Sequence, residues 1–423
     1  MRRSSPPGPW RPGRSRLARG LNHRLTRLTV RNFRTLTDTK LPLGPLTVMV
    51  GPNGAGKSNV LHALEFLRSV SQDGIELTLQ AEGGFETVAF RGGSKPASRI
   101  AIGVEGTWSE FASQENPDRY ELSVNRRRVS DLEHVLYRHE RFTQHPQQDT
   151  ETCIELRREA VKVSSLAADG LRDTVGVDRM ASALHQRLPL TDSPSAHAVD
   201  EIRRHLSEIR VFDPDVRAAR KPSPITNSGR HLEDDASNLA DFLKTLRAIR
   251  DKQGRRFVWK ALLDDVQAVI PHIRDIHIVD TPGTYDHLSV ELEEEGLRGR
   301  TRLQDASFGT VRILCLLSIF HDPQPPALTC IEEIDHGVHP HALERLAGRL
   351  REASRRAQFL VTTHSPVFVS ELTPEEFVVC ERGKDGASRI PALTPDEIQE
   401  VIDASEGMPI GELWFANTLG GGL

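Results

Sequence analysis

The feature that most constrains this chain is a glycine-rich segment that ends in a lysine and a serine. The segment GPNGAGKS occupies residues 51–58 and fits the pattern G-x-x-x-x-G-K-[S/T]. It follows the apolar run LTVMV at 46–50 and precedes apolar residues at helical spacing, which are Val60, Leu61, Leu64 and Leu67. A buried strand, a glycine-rich turn and a helix in this order form the loop that cradles phosphate oxygens. The sequence therefore predicts a nucleotide-phosphate site between a strand and a helix.

The residue types in this segment suit separate parts of a bound nucleotide. Glycines allow backbone N–H groups to turn inward toward phosphate oxygens, and the start of the helix adds its dipole. The Lys57 ammonium is expected to reach the β- and γ-phosphates, and the Ser58 hydroxyl is expected to ligate Mg²⁺. The alternative, a glycine-rich turn that binds no ligand, does not explain why the motif lies between a strand and a helix.

Two carboxylates follow a second apolar run. LTCI at 328–331 leads directly into Glu332 and Glu333. A site of this kind needs a carboxylate at the end of a neighbouring strand to hold hydrated Mg²⁺. We assign Glu332 to the metal shell and Glu333 to polarising the attacking water. An apolar strand that ends in acids is common, so the assignment depends on the phosphate loop; the alternative for Glu333 is a solvated acid.

Histidines provide one further candidate and one weaker one. TTHSP at 362–366 ends another apolar run, and His364 at that strand end can report the γ-phosphate through a hydrogen bond. The alternative is a structural histidine. His336, His339 and His341 form the spacing HxxHxH, which matches no strong zinc pattern. A metal site at these three residues is therefore the weaker hypothesis.

Positive charge is concentrated at the N-terminus. The first 37 residues hold ten arginines and no acid, and the first carboxylate is Asp38. A basic tail on an acidic body suits contact with nucleic acid or anionic lipid, and DNA is the candidate partner that we retain. Residues 4–14, SSPPGPWRPGR, lack the apolar side chains that a core requires. We therefore favour a disordered leader at 1–23.

The remaining composition predicts a cytoplasmic protein without a membrane partner. The longest strongly apolar stretch, ILCLLSIF at 313–320, is too short to span a bilayer. No apolar segment follows Arg2 and Arg3, so a signal peptide is not indicated. The four cysteines are widely spaced and two of them lie in apolar runs, which fits a reducing compartment better than a disulfide framework.

The hydrophobic pattern divides the chain into three parts after the leader. Residues 24–150 contain the phosphate loop and alternating stretches typical of antiparallel strands, at 28–30, 100–104 and 120–124. Residues 151–271 are predicted to be a mostly helical insertion, with prolines between helices and one clear helix at 238–249. Residues 272–423 alternate helix and strand, which indicates a parallel α/β sheet. The predicted fold class is α/β.

The combined motifs resemble the ATPases of the SMC, RecF and OLD group. The residues that carry the resemblance are LTVRNF at 28–33, GPNGAGKSN at 51–59, IEEIDHGVHP at 331–340, TTHSP at 362–366, and GELW with LGG at 411–414 and 419–421. The resemblance implies a P-loop NTPase with an ABC/SMC-like core, ATP and Mg²⁺ as cofactors, and catalysis by Lys57, Glu333 and His364. It also implies a nucleotide-binding set of Gly51, Asn53, Gly54, Gly56, Lys57, Ser58 and Asn59.

The same resemblance implies a homodimer that closes around ATP. In the group, a signature tetrapeptide at the start of a helix contacts the γ-phosphate bound by the other subunit. Ser307-Phe308-Gly309-Thr310 is the matching stretch here. Ser307 and Gly309 are retained, but Phe308 replaces the usual acid, which puts the signature contact and the turnover rate in question. Ile334 likewise stands where the group often has proline.

Several functions fit these features. The first is an ATP-dependent switch in DNA maintenance or phage defence. The second is the nucleotide-binding subunit of a transporter, which the wide separation of Lys57 and Glu333 disfavours. An OLD-type nuclease would need a further metal-dependent domain, and the segment after His364 shows no paired-acid motif, so a nuclease or other effector would be a separate partner. A scaffold that binds ATP without hydrolysing it also remains open because of Phe308.

Overall fold

The structure is a computed structural model, and it describes most of the chain. The described residues are 24–420, apart from 94–95, 131–133, 149, 158–159, 166–167, 173–176, 187–193, 227–230, 252, 282–285 and 406. The leader expected at 1–23 lies outside the described residues, as does the end of the LGG motif at residue 421.

The described residues form strands in both halves of the chain. In chain order they are β1 (Leu25–Arg31), β2 (Thr39–Pro42), β3 (Leu46–Val50), β4 (Arg99–Gly106), β5 (Asp118–Arg128), β6 (His134–Gln147), β7 (Thr150–Arg157), β8 (Ala160–Ser165), β9 (Ala168–Arg172), β10 (Ile209–Phe212), β11 (Ser223–Pro224), β12 (Ile273–Asp280), β13 (His287–Glu294), β14 (Arg300–Arg302), β15 (Leu328–Ile331), β16 (Phe359–Thr362), β17 (Phe377–Val379), β18 (Glu381–Arg382) and β19 (Ser388–Arg389).

Helices connect and cover these strands. They are α1 (Lys57–Asp73), α2 (Ile75–Ala81), α3 (Phe85–Val88), α4 (Pro194–Ser207), α5 (Val216–Ala219), α6 (Leu239–Ala248), α7 (Phe257–Val269), α8 (Phe308–Phe320), α9 (Pro340–Ser354), α10 (Pro366–Ser370), α11 (Pro395–Ala404) and α12 (Ile410–Phe415), with a 3₁₀ turn at Leu303–Asp305. Of the helices that the structure describes, none is long and apolar enough to cross a membrane.

A parallel sheet forms the centre of the molecule. Its strand order is β10-β15-β16-β3-β17, and each neighbouring pair is parallel. Every residue of β3, β15 and β16 is buried, as expected for strands covered on both faces. The parallel α/β arrangement predicted for the C-terminal third is confirmed. Because parallel strands end at the same edge, the segments after β3, β15 and β16 are brought together there.

An antiparallel sheet lies beside this core and is longer than the sequence predicts. Its order is β2-β1-β4-β5-β6-β7-β8-β9, so the strands continue to Arg172. The predicted start of a mostly helical insertion at residue 151 is therefore wrong, and the first helix that the structure describes after that residue is α4. The strands after 150 are hard to recognise because their buried face carries few apolar side chains, among them Ile154, Leu156 and Val161, while polar residues alternate with them.

The second part of that insertion agrees better with the sequence. Helix α6 at Leu239–Ala248 confirms the helix predicted at 238–249, and Leu239, Phe242, Leu243 and Leu246 form its buried face. A smaller antiparallel sheet has the strand order β11-β13-β12, and β14 pairs with β13. This sheet includes the two strands that the apolar alternation near 276 and 290 indicates.

The parallel sheet separates two apolar layers. Val48 and Val50 of β3 face a layer that contains side chains of α6 to α9. Met49 of the same strand faces the other layer, which contains α1 and the antiparallel sheet. Strand β3 therefore lies between helices α6 to α9 on one side and α1 with the antiparallel sheet on the other. The loop that leaves β3 therefore has packed structure on both sides.

Candidate nucleotide-binding site

The loop between β3 and α1 has the backbone shape that a phosphate cradle requires. Gly51, Gly54 and Gly56 have φ angles of +148°, +79° and +103°, which favour glycine. A Cβ at Gly51 would collide with the carbonyl oxygen of Cys380. The glycine at 51 is therefore required by close packing as well as by conformation. The strand, loop and helix order predicted from the sequence is confirmed.

Lys57 is the first residue of α1 and lies beneath the loop. Only 7% of it is exposed, and its ammonium donates to the carbonyl oxygens of Gly51 at 2.8 Å and Pro52 at 3.1 Å. Burial lowers the pKa of this ammonium, while neighbouring acidic groups oppose that shift. The side chain is thus held against the inner side of the loop, where a phosphate chain would pass.

Ser58, in the first turn of α1, contacts Glu332, the residue directly after β15. The Ser58 hydroxyl donates to a carboxylate oxygen of Glu332, although the two residues are 274 positions apart in sequence. A hydroxyl and a carboxylate are hard oxygen ligands of the kind that Mg²⁺ prefers. The predicted pair of metal-binding residues therefore lies within direct contact distance.

Glu333 follows at the rim of the same site. Its side chain is 49% exposed, and Nδ1 of the His336 ring lies 3.9 Å from Glu333 Oε2. Its φ of +46° is left-handed, which is unusual for a residue with a side chain. The Glu333 backbone N–H donates to Thr362 Oγ1 at 2.8 Å. The Glu333 main chain is therefore held by Thr362, while about half of the Glu333 side chain is exposed to solvent.

The segment after β16 is tied to the segment after β15. Asp335 Oδ1 accepts hydrogen bonds from Thr363 Oγ1 at 2.6 Å and from the His364 backbone N–H at 3.1 Å. Burial lowers the pKa of His364, and the Lys57 ammonium lowers it further. The imidazole is therefore neutral at pH 7 and can donate one hydrogen bond. The structure brings His364 to the same strand edge as Lys57 and Glu333.

The unusual Ile334 has a clear local reason. Its side chain is fully buried, and its backbone N–H donates to the Thr362 carbonyl oxygen at 3.0 Å. A proline at this position could not make that hydrogen bond. The departure from the group's pattern therefore adds a link between the ends of β15 and β16.

The signature-like residues begin α8 and contact the same acid-bearing segment. Ser307 caps the helix, and its hydroxyl accepts from the Thr310 N–H at 3.1 Å. Phe308 is 41% exposed and packs on the His336 ring at a centroid distance of 5.5 Å. A Cβ at Gly309 would lie 2.7 Å from the Gly337 carbonyl oxygen, so this position needs glycine. Ser307 is thus exposed at the edge of the site, and Gly309 is packed beside that edge.

Asn59 and Asn53 occupy different positions in the predicted nucleotide-binding set. Asn53 is exposed at the tip of the loop. Asn59 donates from Nδ2 to Thr35 Oγ1 at 2.6 Å, and Thr35 in turn contacts Ser388 Oγ at 2.7 Å. Asn59 therefore anchors the first turn of α1 to two flanking segments, and its contact with nucleotide stays a prediction.

The fold brings to this site three polar residues to which the sequence assigned no role. Asp335 joins the two strand ends, as described above. Arg312 of α8 is 2% exposed and donates to the backbone carbonyl oxygens of Glu332 and Glu333. Arg382, in the hairpin after β17, donates to the Gly54 carbonyl oxygen at 3.3 Å. No local motif marks Arg312 or Arg382, and Asp335 stands within IEEIDHGVHP without a predicted role, because each acts on a segment that is distant in the chain.

The three histidines at 336, 339 and 341 do not form a metal site among the described residues. His336 faces Phe308. His339 caps α9 by accepting from the His341 N–H, and the His339 and His341 rings stack at 5.6 Å. These contacts explain the histidines as structural residues of one loop and one helix start.

The donors present at the strand edge fit ATP with Mg²⁺. The loop has left-handed backbone at Gly54 and Gly56 and leaves no room for a Cβ at Gly51, Lys57 supplies a cation, and Ser58 and Glu332 supply adjacent oxygens. Glu333 and His364 lie at the rim, where a terminal phosphate would be expected. The residues predicted from the sequence to bind nucleotide and Mg²⁺ and to activate water therefore lie at one edge of the sheet.

Comparison with known proteins gives a family match over most of the chain. The family described as "AAA domain, putative AbiEii toxin, Type IV TA system" matches residues 46–370. This range contains the phosphate loop, the Glu332–Glu333 pair and the segment at His364. It also includes the additional strands and helices between 99 and 302.

Individual relatives match over shorter segments. An OLD nuclease of Thermus scotoductus is 43% identical over 90 residues, which cover 16% of this chain and 17% of the nuclease. The DNA replication and repair protein RecF of Magnetococcus marinus is 52% identical over 44 residues, which cover 10% of this chain and 12% of RecF. The chain thus matches less than a fifth of the length of each relative.

Fold similarity extends over nearly the whole chain. The Smc head domain derived from Pyrococcus furiosus, solved with an extended coiled coil and bound to the C-terminal domain of ScpA, has a TM-score of 0.53 and 15% identity. The alignment covers 91% of this chain and 100% of that chain. The predicted α/β core of the ABC/SMC type is confirmed. The resemblance to the SMC, RecF and OLD group is confirmed as well.

Proposed function

Because the chain belongs to this AAA domain family, we propose that it binds and hydrolyses ATP and serves as an ATP-dependent dimerising switch in DNA maintenance or phage defence. The observation that carries the proposal is the contact between Ser58 and Glu332, which joins the first turn of α1 to the acidic segment after β15. A glycine-rich turn without a ligand gives no reason for that contact. We place this activity in the cytoplasm.

The proposed binding step uses residues that are already in position. Backbone N–H groups of residues 54–58 hold phosphate oxygens, and Lys57 exchanges its contacts with the loop carbonyls for contacts with phosphate. Ser58 and Glu332 hold Mg²⁺, which neutralises charge on the phosphates when it is bound. The loop is held between β3 and α1 in advance, so little ordering is required on binding.

The proposed hydrolysis step depends on the rim of the site. The exposed Glu333 carboxylate orients and polarises a water molecule, while its main chain stays fixed by Thr362. His364 is neutral at pH 7 and donates a hydrogen bond toward the terminal phosphate. The half-buried hydrogen bond from the His364 backbone N–H to Asp335 holds the two strand ends together.

Dimerisation is the finer part of the proposal. Ser307 is exposed at the start of α8, and we propose that it contacts ATP bound by a second copy of this chain. Phe308 packs on His336 beside it, so the aromatic substitution is accommodated within its own subunit. This packing supports the view that the signature stretch is compatible with closure. DNA and a separate nuclease or effector protein are the proposed partners, by analogy with the OLD nuclease and with the DNA replication and repair protein RecF.

The main test is an ATPase assay of the full chain with Lys57→Ala as the comparison. The wild type is expected to hydrolyse ATP in the presence of Mg²⁺, and stimulation by duplex, nicked or single-stranded DNA would support the DNA link. Lys57→Ala should lose turnover and bind ATP at least about tenfold more weakly, because a buried cation on phosphate is removed.

A second outcome distinguishes the scaffold alternative. If the wild type binds ATP but does not hydrolyse it in any of these conditions, the hydrolytic part of the proposal is wrong. If Lys57→Ala hydrolyses ATP at the normal rate, the assignment of the phosphate loop is wrong. Circular dichroism of both proteins checks that the substitution preserves the fold.

A further inference from the structure

Arg312 lies where the signature helix meets the catalytic acids. It is in the second turn of α8, shortly after Ser307. Its residue is 2% exposed, so its guanidinium lies in the interior. Burial of a charge is costly unless hydrogen bonds satisfy it. The identity of its partners therefore decides what this arginine does.

The guanidinium donates mainly to the backbone of the two acids. Nη2 donates to the carbonyl oxygens of Glu332 at 3.0 Å and Glu333 at 2.8 Å. Nη1 lies 3.5 Å from both Asp213 Oδ1 and the Pro214 carbonyl oxygen, at the end of β10. A planar fork of donors suits such a task, because it can bind several acceptors at fixed angles.

The arrangement is not the one expected of a residue that only adds stability. Arg312 Nε is buried without a hydrogen-bond partner among the described residues. An incompletely satisfied buried cation is a poor source of stability. What the contacts do achieve is to fix the main chain of Glu333 from one side.

The other side of Glu333 is fixed by Thr362. Its hydroxyl accepts from the Glu333 N–H at 2.8 Å, while Arg312 binds the Glu333 carbonyl oxygen. Between these two contacts Glu333 adopts a φ of +46°, a conformation that costs energy for a residue with a Cβ. Release of either contact would allow the backbone to relax and the carboxylate to turn away.

The start of α8 touches the same segment a second time. Phe308 packs on His336, and Gly309 is in close contact with the Gly337 carbonyl oxygen. A displacement of the Ser307 end of α8 would therefore act on residues 332–337 at two separate points. Helices move as rigid elements, so such a displacement would carry Arg312 with it.

We infer that Arg312 is a positioning residue that couples the Ser307 end of α8 to the orientation of Glu333. When a second subunit contacts Ser307, the contact thereby controls ATP hydrolysis in the subunit to which that Ser307 belongs. The inference rests on the proposed function, since it assigns a structural means of regulation to the same site. Arg312 is expected to affect the rate of the chemical step, while the affinity for nucleotide is set by the phosphate loop.

The test compares Arg312→Lys with the wild type in the full chain. Lysine keeps the charge but cannot bind the two carbonyl groups with a planar fork. We expect kcat to fall on the order of 10²-fold, as for a misplaced catalytic group, with KM for ATP changed less than about threefold. Light scattering should show that the variant still dimerises with ATP.

The control is Arg138→Lys, a buried arginine of the antiparallel sheet. Arg138 is 0% exposed and also donates to backbone carbonyl groups, including that of Ala181. Its replacement should cause a similar loss of thermal stability with kcat near the wild-type value. An equal loss of kcat in both variants would reduce Arg312 to a general stabilising role.

A second variant covers the case in which Arg312→Lys does not fold. Thr362→Val is nearly isosteric and removes the other contact to the Glu333 main chain, so it should lower kcat with little change in KM. Normal turnover in either folded variant would overturn the inference. Absence of turnover in the wild type would instead refute the proposed hydrolysis, so the two failures are distinguishable.

Discussion

Single residues at this site divide into those that carry chemistry and those that hold the backbone. The Lys57 ammonium binds carbonyl oxygens of the loop, and the Ser58 hydroxyl binds Glu332, so these side chains are held at the site. Glu333 differs because its main chain is held while its carboxylate is 49% exposed. A substitution that changes only this carboxylate should therefore leave the fold and the phosphate loop unchanged.

The residue-scale prediction is that Glu333→Gln binds ATP but hydrolyses it about 10²–10⁴-fold more slowly, the usual contribution of a positioned base. Glutamine keeps the shape of the side chain and removes its charge. The measurements are ATP binding by calorimetry and phosphate release. Glu344→Gln, on the exposed side of α9, serves as the control and should hydrolyse ATP normally. Equal activity in the two variants would assign the base to another residue.

Among the elements, the hairpin of β18 and β19 contributes to the site without a recognisable motif. Its strand β18 follows β17, and the Cys380 N–H donates to the Val50 carbonyl oxygen at 2.7 Å. Ser388 binds Thr35, and Arg382 reaches the Gly54 carbonyl oxygen. The hairpin thus supports the outer side of the phosphate loop and adds a cation close to it.

At this scale we predict that Arg382→Gln weakens ATP binding by about tenfold, because it removes a charge and a hydrogen bond beside the loop. Lys384→Gln is the matched control, since it removes the same charge from an exposed position in the same hairpin. Calorimetric titration with ATP and ADP measures both. Affinities that agree within twofold between the variants would show that Arg382 does not act on the nucleotide.

For the whole molecule, the order of strands in the parallel sheet determines which segments share an edge. Strands β15, β16 and β3 are neighbours, so the acids, His364 and the phosphate loop meet at their ends. Helix α8 then presents Ser307 at the surface beside this edge. A second subunit that contacts Ser307 would complete the site, and this arrangement can be tested in solution.

We predict that Glu333→Gln is dimeric with saturating ATP and mostly monomeric without it. The double variant Glu333→Gln with Ser307→Arg should remain monomeric, because a bulky cation replaces the small capping hydroxyl at the proposed interface. Each chain should still bind ATP. Light scattering gives the mass, and Gln399→Arg in the same background controls for an added surface charge. A monomer in Glu333→Gln at saturating ATP would contradict the proposed closure.

The parts of the site that depend on contiguous residues were predictable from the amino-acid sequence. The phosphate loop is one such part, because its glycines, Lys57 and Ser58 act through neighbouring backbone and side-chain groups. The apolar runs before Glu332 and His364 similarly determined two buried parallel strands. Sequence analysis did not identify the strands after residue 150, because their buried face carries few apolar side chains and the pattern is weak.

The contacts between these parts depend instead on how the chain folds. Arg312 reaches carbonyl groups some twenty positions away in sequence, and Asp335 reaches the backbone of His364 nearly thirty positions away. Such pairings depend on the order and direction of the strands, which hydrophobic periodicity does not specify. Backbone carbonyl groups are also present at every position, so no residue type marks the one that a buried arginine will bind.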